Sequence, residues 1–303
     1  MGPAVYLQSR HDFLVSTQNA DGGWGYFPGK QSWLEPTAFT LLALHGVAGA
    51  ESNVTHGRTL LRTWRQSDGS YRPSGQVLES TWVTALALLL ASIQGERDVA
   101  SLQTIDWLLA ERGAESRLAA RLANFFHLTD IKLDLAHPGW PWFPGNSSWI
   151  EPTCHTLLAL KKAASLHHSY RLLSRIQEGE IMVLSRRCSD GGWNAGTPVT
   201  LSFDLRSYPE CTALALLALQ GRNPQDFPQV LEVAESMHHS TKSSLARAWL
   251  AIALRTYGRQ PSARGEDPSP SKDILLTALQ SLGHPDGNYH LLQVGTSRSG
   301  AAA

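Results

Sequence analysis

The chain has 303 residues, 42% of them hydrophobic, which is enough for one large domain or two small ones. Lys and Arg number 26, as do Asp and Glu, so formal net charge is zero, and nucleic acid is not an expected partner. Three cysteines, Cys154, Cys188 and Cys211, are odd in number and loosely spaced, which fits a reduced protein better than a disulfide framework.

The chain opens on MGPAVYLQSRHDF, which is charged and has no apolar signal core. No apolar run reaches the roughly 18 residues of a membrane span. An integral membrane segment is therefore not expected, and the cytoplasm is the expected location.

In chain order, VYLQSRHDFLVST predicts an amphipathic helix, with apolar residues three and four apart and charged residues between them. A turn follows, QNADGGWGYFPGKQSWLEPT from Gln18, and then an Ala/Leu-rich run to TLLAL. Ala and Leu favour helix, and a helix apolar all round is buried all round. The same unit returns as GRTLLRTWRQ, the turn QSDGSYRPSGQVLEST and TALALLLASI. Helices are expected next over 97–112 and 115–127. A third copy, HPGWPWFPGNSSWIEPTCHTLLALKKA, starts at His137; between GWGYFPGKQSWLEPT and GWPWFPGNSSWIEPT ten residues are identical. The fourth comprises YRLLSRIQEGEIMVLSRR and CSDGGWNAGTPVTLSFDLRSYPECTALALLALQG. Helices over 226–239, 243–257 and 270–282 complete the pattern, with a surface loop at 258–271 and a weak fifth echo, HPDGNYH, at His284.

Each unit reads as an outer helix with one wet face, an Asp-Gly turn that exploits glycine's freedom at positive φ, and a buried inner helix. Glu35, Glu79, Glu151 and Glu210 are expected in the first turns of inner helices, where a helix dipole favours a carboxylate by about 0.3–1 kcal/mol. Gln18 and Gln66 are expected to cap the preceding helix. An open superhelix would wet the Ala/Leu faces of its end repeats, so the repeats are expected to close into a ring.

Gln-x-x-Asp-Gly-Gly-Trp followed by an Ala/Leu helix resembles the QW repeat of squalene–hopene and oxidosqualene cyclases, to which the repeat of protein prenyltransferase β subunits is related. The resemblance covers nearly the whole chain. It implies an all-α fold, an (α/α)6 toroid formed as a single domain over 1–303, and a hydrophobic isoprenoid-type small molecule as ligand. It implies no bound cofactor for a cyclase, and a protein partner is an alternative.

The fourth repeat departs from the others. Trp193 to Glu210 spans 17 positions against 11 from Trp24 to Glu35, and the added loop holds Asp204, Arg206 and Tyr208. Its SYPECTALALLAL is similar to the cyclase segment Tyr-Pro-Asp-x-Asp-Asp-Thr-Ala, with Glu210 where the proton-donating aspartate stands and Cys211 beside it. The Asp-x-Asp-Asp motif itself is absent. The resemblance thus gives Glu210 as acid, with Asp204 and Tyr208 in support. Compared with the zinc prenyltransferases, Pro152 takes the Asp position, Cys154 the Cys position and Cys211 the His position. Cys154 and Cys211 are the weak candidates for a metal, and none is expected. The pairs His167/His168 and His238/His239 read as surface residues at helix ends. Three readings follow: a protonation-initiated cyclase, a non-catalytic toroid binding a hydrophobic ligand or a protein, and a zinc-dependent prenyltransferase.

Overall fold

The computed structural model describes residues 3–117, 135–262 and 269–295. Eleven α-helices lie among them: α1 Pro3–Ser16, α2 Leu34–Ala43, α3 Glu51–Thr63, α4 Thr84–Ile93, α5 Val99–Ala110, α6 Ile150–Ala164, α7 Tyr170–Ser185, α8 Pro209–Ala218, α9 Val230–Ser240, α10 Ser244–Thr256 and α11 Ile274–Leu282. Of the helix expected over 115–127, residues 118 onward lie outside the described residues; the preceding Ala114–Ser116 forms a 3-10 turn.

The helices form two concentric rings. Helices α2, α4, α6, α8, α10 and α11 pack side by side in that order, and α11 returns to α2. These are the Ala/Leu segments, and most residues of α2, α4 and α8 are buried. Around them, α1, α3, α5, α7 and α9 lie one layer out, each with a wet face. Of the expected 258–271 loop, residues 263–268 lie outside the described residues. The architecture is the all-α toroid that the repeat implies.

One hydrogen-bond scheme builds each repeat. Trp24, Trp140 and Trp193 are fully buried, and their indole N–H groups donate to Leu14, Leu108 and Val183 at 2.7, 2.7 and 2.6 Å. Those carbonyls belong to the last turn of the preceding outer helix, where the regular i+4 amides run out; Val183 also accepts from the Arg186 amide at 3.2 Å. The backbone amide of each Trp donates to a threonine hydroxyl on the following inner helix: Thr37, Thr153 and Thr212. In the second repeat Tyr71 takes the aromatic place and its amide donates to Thr84.

That last bond corrects the register of the second repeat. Thr84, not Thr81, is the partner of Thr37, so Trp82 occupies the place of Glu35 and Glu151. Glu79 is exposed and lies in the loop ahead of α4, whereas Glu35, Glu151 and Glu210 are in first turns. The glutamine roles also change. Gln18 Nε2 donates to Gly22 and Asn53, tying the turn to the next outer helix, and Gln66 Nε2 reaches Leu78 in a loop.

Neighbouring repeats are stitched at the starts of the inner helices. The carbonyl two residues after each turn aromatic (Tyr26, Pro73, Trp142, Ala195) accepts from the amide of Ile274, Leu34, Trp82 or Ile150 on the adjacent segment. For Ile274, Leu34 and Ile150 the bond satisfies a helix-start amide left without an internal partner, and for Trp82 it satisfies an amide two residues ahead of α4. Together they hold the inner helix starts around one mouth.

Candidate functional site at the mouth of the ring

Carboxyls collect at this mouth. Glu35 on α2, Glu151 on α6 and Glu210 on α8 are half-buried, and Asp273 is the N-cap of α11. Burial pushes the Glu151 carboxyl up to about 7, and the charges of Glu35 and Glu210 push it the same way. Carboxyls from three inner helices therefore share one electrostatic neighbourhood. Glu35 is also raised by burial, partly offset by the Tyr26 hydroxyl, which donates to its Oε2 at 2.5 Å. Burial and the Glu35 charge hold Tyr26 protonated, so it remains a donor. Glu210 accepts from the Ser243 hydroxyl at 3.4 Å, and Ser243 is the N-cap of α10.

One helical turn deeper, four residues after Glu35 and Glu151, stand Phe39 and His155. Trp249 of α10 meets both. The ring centroids lie 6.0 Å apart for Phe39 and His155, 5.2 Å for Phe39 and Trp249, and 5.7 Å for His155 and Trp249. Helices α2, α6 and α10 are alternate members of the ring, so side chains that meet from all three lie on its axis. Trp82 covers His155 at 5.0 Å and is packed edge-on by Trp142 at 5.1 Å. Burial holds the His155 imidazole neutral, with its pKa pushed down to about 3, and its Nε2 has no hydrogen-bond partner among the described residues.

The residues singled out from sequence are placed as follows. Glu210 belongs to the carboxyl set. Asp204 is exposed on a short hairpin, β1 Val199–Thr200 with β2 Phe203–Asp204, formed by the extra residues of the fourth repeat. Leu201 and Ser202 make its turn in the left-handed region, and Leu201 and Phe203 are exposed. Tyr208 precedes α8 and is exposed.

Cys154 and Cys211 are buried free thiols on adjacent inner helices, and burial is the main cause that raises both, Cys211 to about 12. Among the described residues no group of three or more His, Cys, Asp and Glu is placed to hold a metal. His238 is not a surface residue: it is buried on α9, and burial pushes it down to about 4. No described helix is long and apolar enough to cross a membrane.

Sequence reasoning missed Glu35 and Glu151 as chemical groups, because a residue that recurs in every turn reads as part of the scaffold. It reaches His155 only as a possible neighbour of the Cys154–Cys211 pair, and it does not single out Trp82 or Trp249. The available signal was deviation at one repeat position: two residues after the clasping threonine, Phe39, Leu86, His155 and Leu214 follow Thr37, Thr84, Thr153 and Thr212.

No family model matches the chain, and no curated protein sequence matches it. Solved structures do. A protein from Actinoplanes is 18% identical with TM-score 0.55, covering 86% of this chain and 76% of its own. An endo-β-1,4-glucanase from Acetobacter xylinum is 12% identical with TM-score 0.58, covering 96% and 98%. A type II terpene cyclase from Scytonema is 16% identical with TM-score 0.42, covering 96% of each chain. The likeness is one of fold. The first two, with TM-scores of 0.55 and 0.58, support the helical toroid, and the chemistry is left to be argued from the mouth itself.

Proposed function

We propose that the mouth of the toroid binds a polyprenyl or terpenoid molecule and protonates it to begin cyclisation. The observation that carries this reading is Glu151, a half-buried carboxyl whose pKa is pushed up to about 7, one helical turn from a layer of aromatic rings. A general acid works best when its pKa lies near the operating pH. Its proton would pass to an alkene carbon, leaving a carbocation. An internal double bond would then attack to form a ring carbon–carbon bond, and loss of a proton would give a product isomeric with the substrate. The faces of Trp82, Phe39 and Trp249 suit a developing cation, at roughly 0.5–2 kcal/mol per contact. Glu35 and Glu210 keep negative charge beside Glu151, which raises its proton affinity.

Glu210, the acid suggested by the sequence, is the other candidate donor. Asp204 and Tyr208 would act at the rim, where an incoming chain first meets the protein. The test is incubation of wild type, Glu151→Gln and Glu210→Gln with C15 to C30 polyprenyl substrates, followed by mass spectrometry. Wild type is expected to yield a cyclised isomer, and the variant lacking the donor none. Full turnover by both variants would remove both carboxyls from the role.

A second reading is a non-catalytic toroid that holds a hydrophobic ligand or a protein. Two observations favour it: the rings already in contact across the axis, and the absence of Asp-x-Asp-Asp. Binding without conversion by wild type would select it.

A further inference from the structure

Between the outer helix α5, the turn of the third repeat and the start of α4 lies a small recess. Its walls are Trp82, Trp107, Trp140, Pro141 and Pro144, with Glu111 beside them, and none of the mouth carboxyls lines it. It encloses about 10 Å³, room for one water-sized group. Glu111 ends α5: its amide donates to the Trp107 carbonyl at 3.1 Å, and its own carbonyl accepts from Arg175 Nη2 at 3.0 Å. The backbone is thus fixed at the recess, but the half-buried carboxylate has no hydrogen bond or ion pair among the described residues. A carboxylate set among indole and proline rings loses water without gaining a partner. Burial raises its pKa, and the charge of Asp68 raises it further. The negative end of the α5 dipole adds to the same potential. Arg175 is not available to neutralise it, because that guanidinium stacks on Trp140 at 3.6 Å and donates to the carbonyls of Pro138, Glu111 and Gly139.

We infer that this recess is a binding site for a primary ammonium group, held by an ion pair to Glu111 among the indole rings of Trp82 and Trp107. It stands apart from the chemistry proposed at the mouth. An ammonium head is about the size of water and brings three donors, which suits a carboxylate with no donor of its own. Indole rings attract such a cation by roughly 0.5–2 kcal/mol. A trimethylammonium head has no donor and is too large for the volume. A hard metal ion needs several oxygen ligands, and the recess offers one carboxylate. The alkyl part of the ligand would lie outward over Pro144, which is exposed.

The experiment is a saturation-transfer NMR titration of the full chain with n-butylammonium chloride at constant ionic strength and about pH 8, where carboxyls are ionised. Saturable binding at about 1–10 mM is expected. Glu111→Gln should weaken it at least about fivefold, and Trp107→Leu at least about threefold. n-Butanol and n-butyltrimethylammonium should each bind at least about fivefold more weakly than the primary amine. Asp106→Asn, an exposed carboxylate beside Trp107 on the same helix, should change affinity by less than about twofold. Nα-acetyl-lysine amide separates the two sources of the group: tighter binding than butylammonium indicates a lysine side chain, weaker binding a free amine. Absence of saturable binding would overturn the site, as would equal affinity in folded Glu111→Gln or for n-butanol. Weakening in Glu151→Gln without weakening in Glu111→Gln would place the amine at the mouth and overturn it too.

Discussion

Thr37, Thr84, Thr153 and Thr212 each accept from the amide of the turn aromatic and donate back to its carbonyl. A valine has the shape of threonine but neither bond. Thr153→Val should leave the buried Trp140 amide unpaired and cost about 1–3 kcal/mol in urea unfolding; a loss below about 0.5 kcal/mol would contradict the clasp. Glu151 gives a pH prediction at the same scale. Its pKa is about 7 in the folded chain against an ordinary 4.5, so the unfolded chain releases the proton first as pH rises. The group therefore costs nothing below about pH 4.5, destabilises progressively between about 4.5 and 7, and reaches a limit of at most ~3 kcal/mol above that. Glu151→Gln cannot ionise. Its stability relative to wild type should grow across that window and then level off, and a difference that stays flat with pH would contradict the raised pKa. His155 works in the opposite direction. Its depressed pKa makes stability fall as pH drops below about 6.5, in variant and wild type alike, so the difference between them isolates Glu151.

The alternation of outer and inner helices was legible, because Asp-Gly turns, wet-faced segments and all-apolar segments follow one another in fixed order. The register of the second repeat was not. Glu79-Ser80-Thr81 imitates Glu35-Pro36-Thr37, and only the bond from the Tyr71 amide selects Thr84 three residues on. The axial layer was hidden for a physical reason: a helix apolar on every side has no polar face to show which stripe points at the axis and which at its neighbours. The turns make their own prediction. Gly69 has φ +92° and a Cβ there would lie 2.5 Å from the Gln103 backbone, whereas Gly29, at φ +71°, has open space around it. Gly29→Ala should cost about 1–2 kcal/mol for the left-handed conformation alone. Gly69→Ala should cost clearly more, and equal losses in thermal unfolding would contradict the close approach of turn and α5.

Across the whole molecule, the inner helices present their starts to one mouth and their ends to the opposite face. Carboxyls stand at the starts of α2, α6 and α8, while Lys161 Nζ donates to the Ala218 carbonyl at the end of α8 and Asn288 to the Leu42 and Ala43 carbonyls at the end of α2. Both arrangements suit the helix dipoles, and they gather acidic groups where a ligand would enter. The same geometry separates Cys154 and Cys211 from any further metal-binding set among the described residues. Purified protein should accordingly hold zinc well below one ion per chain, and one zinc per chain that disappears in Cys154→Ala would contradict this. The central claim is that a carboxyl at the mouth delivers a proton to carbon, and solvent isotope labelling tests it most directly. In D2O that carboxyl carries deuterium, so a cyclised product formed from an unlabelled polyprenyl substrate should gain one carbon-bound deuterium, lost in Glu151→Gln together with the product. A cyclised product with no carbon-bound deuterium, or no product from any polyprenyl substrate offered, would contradict it.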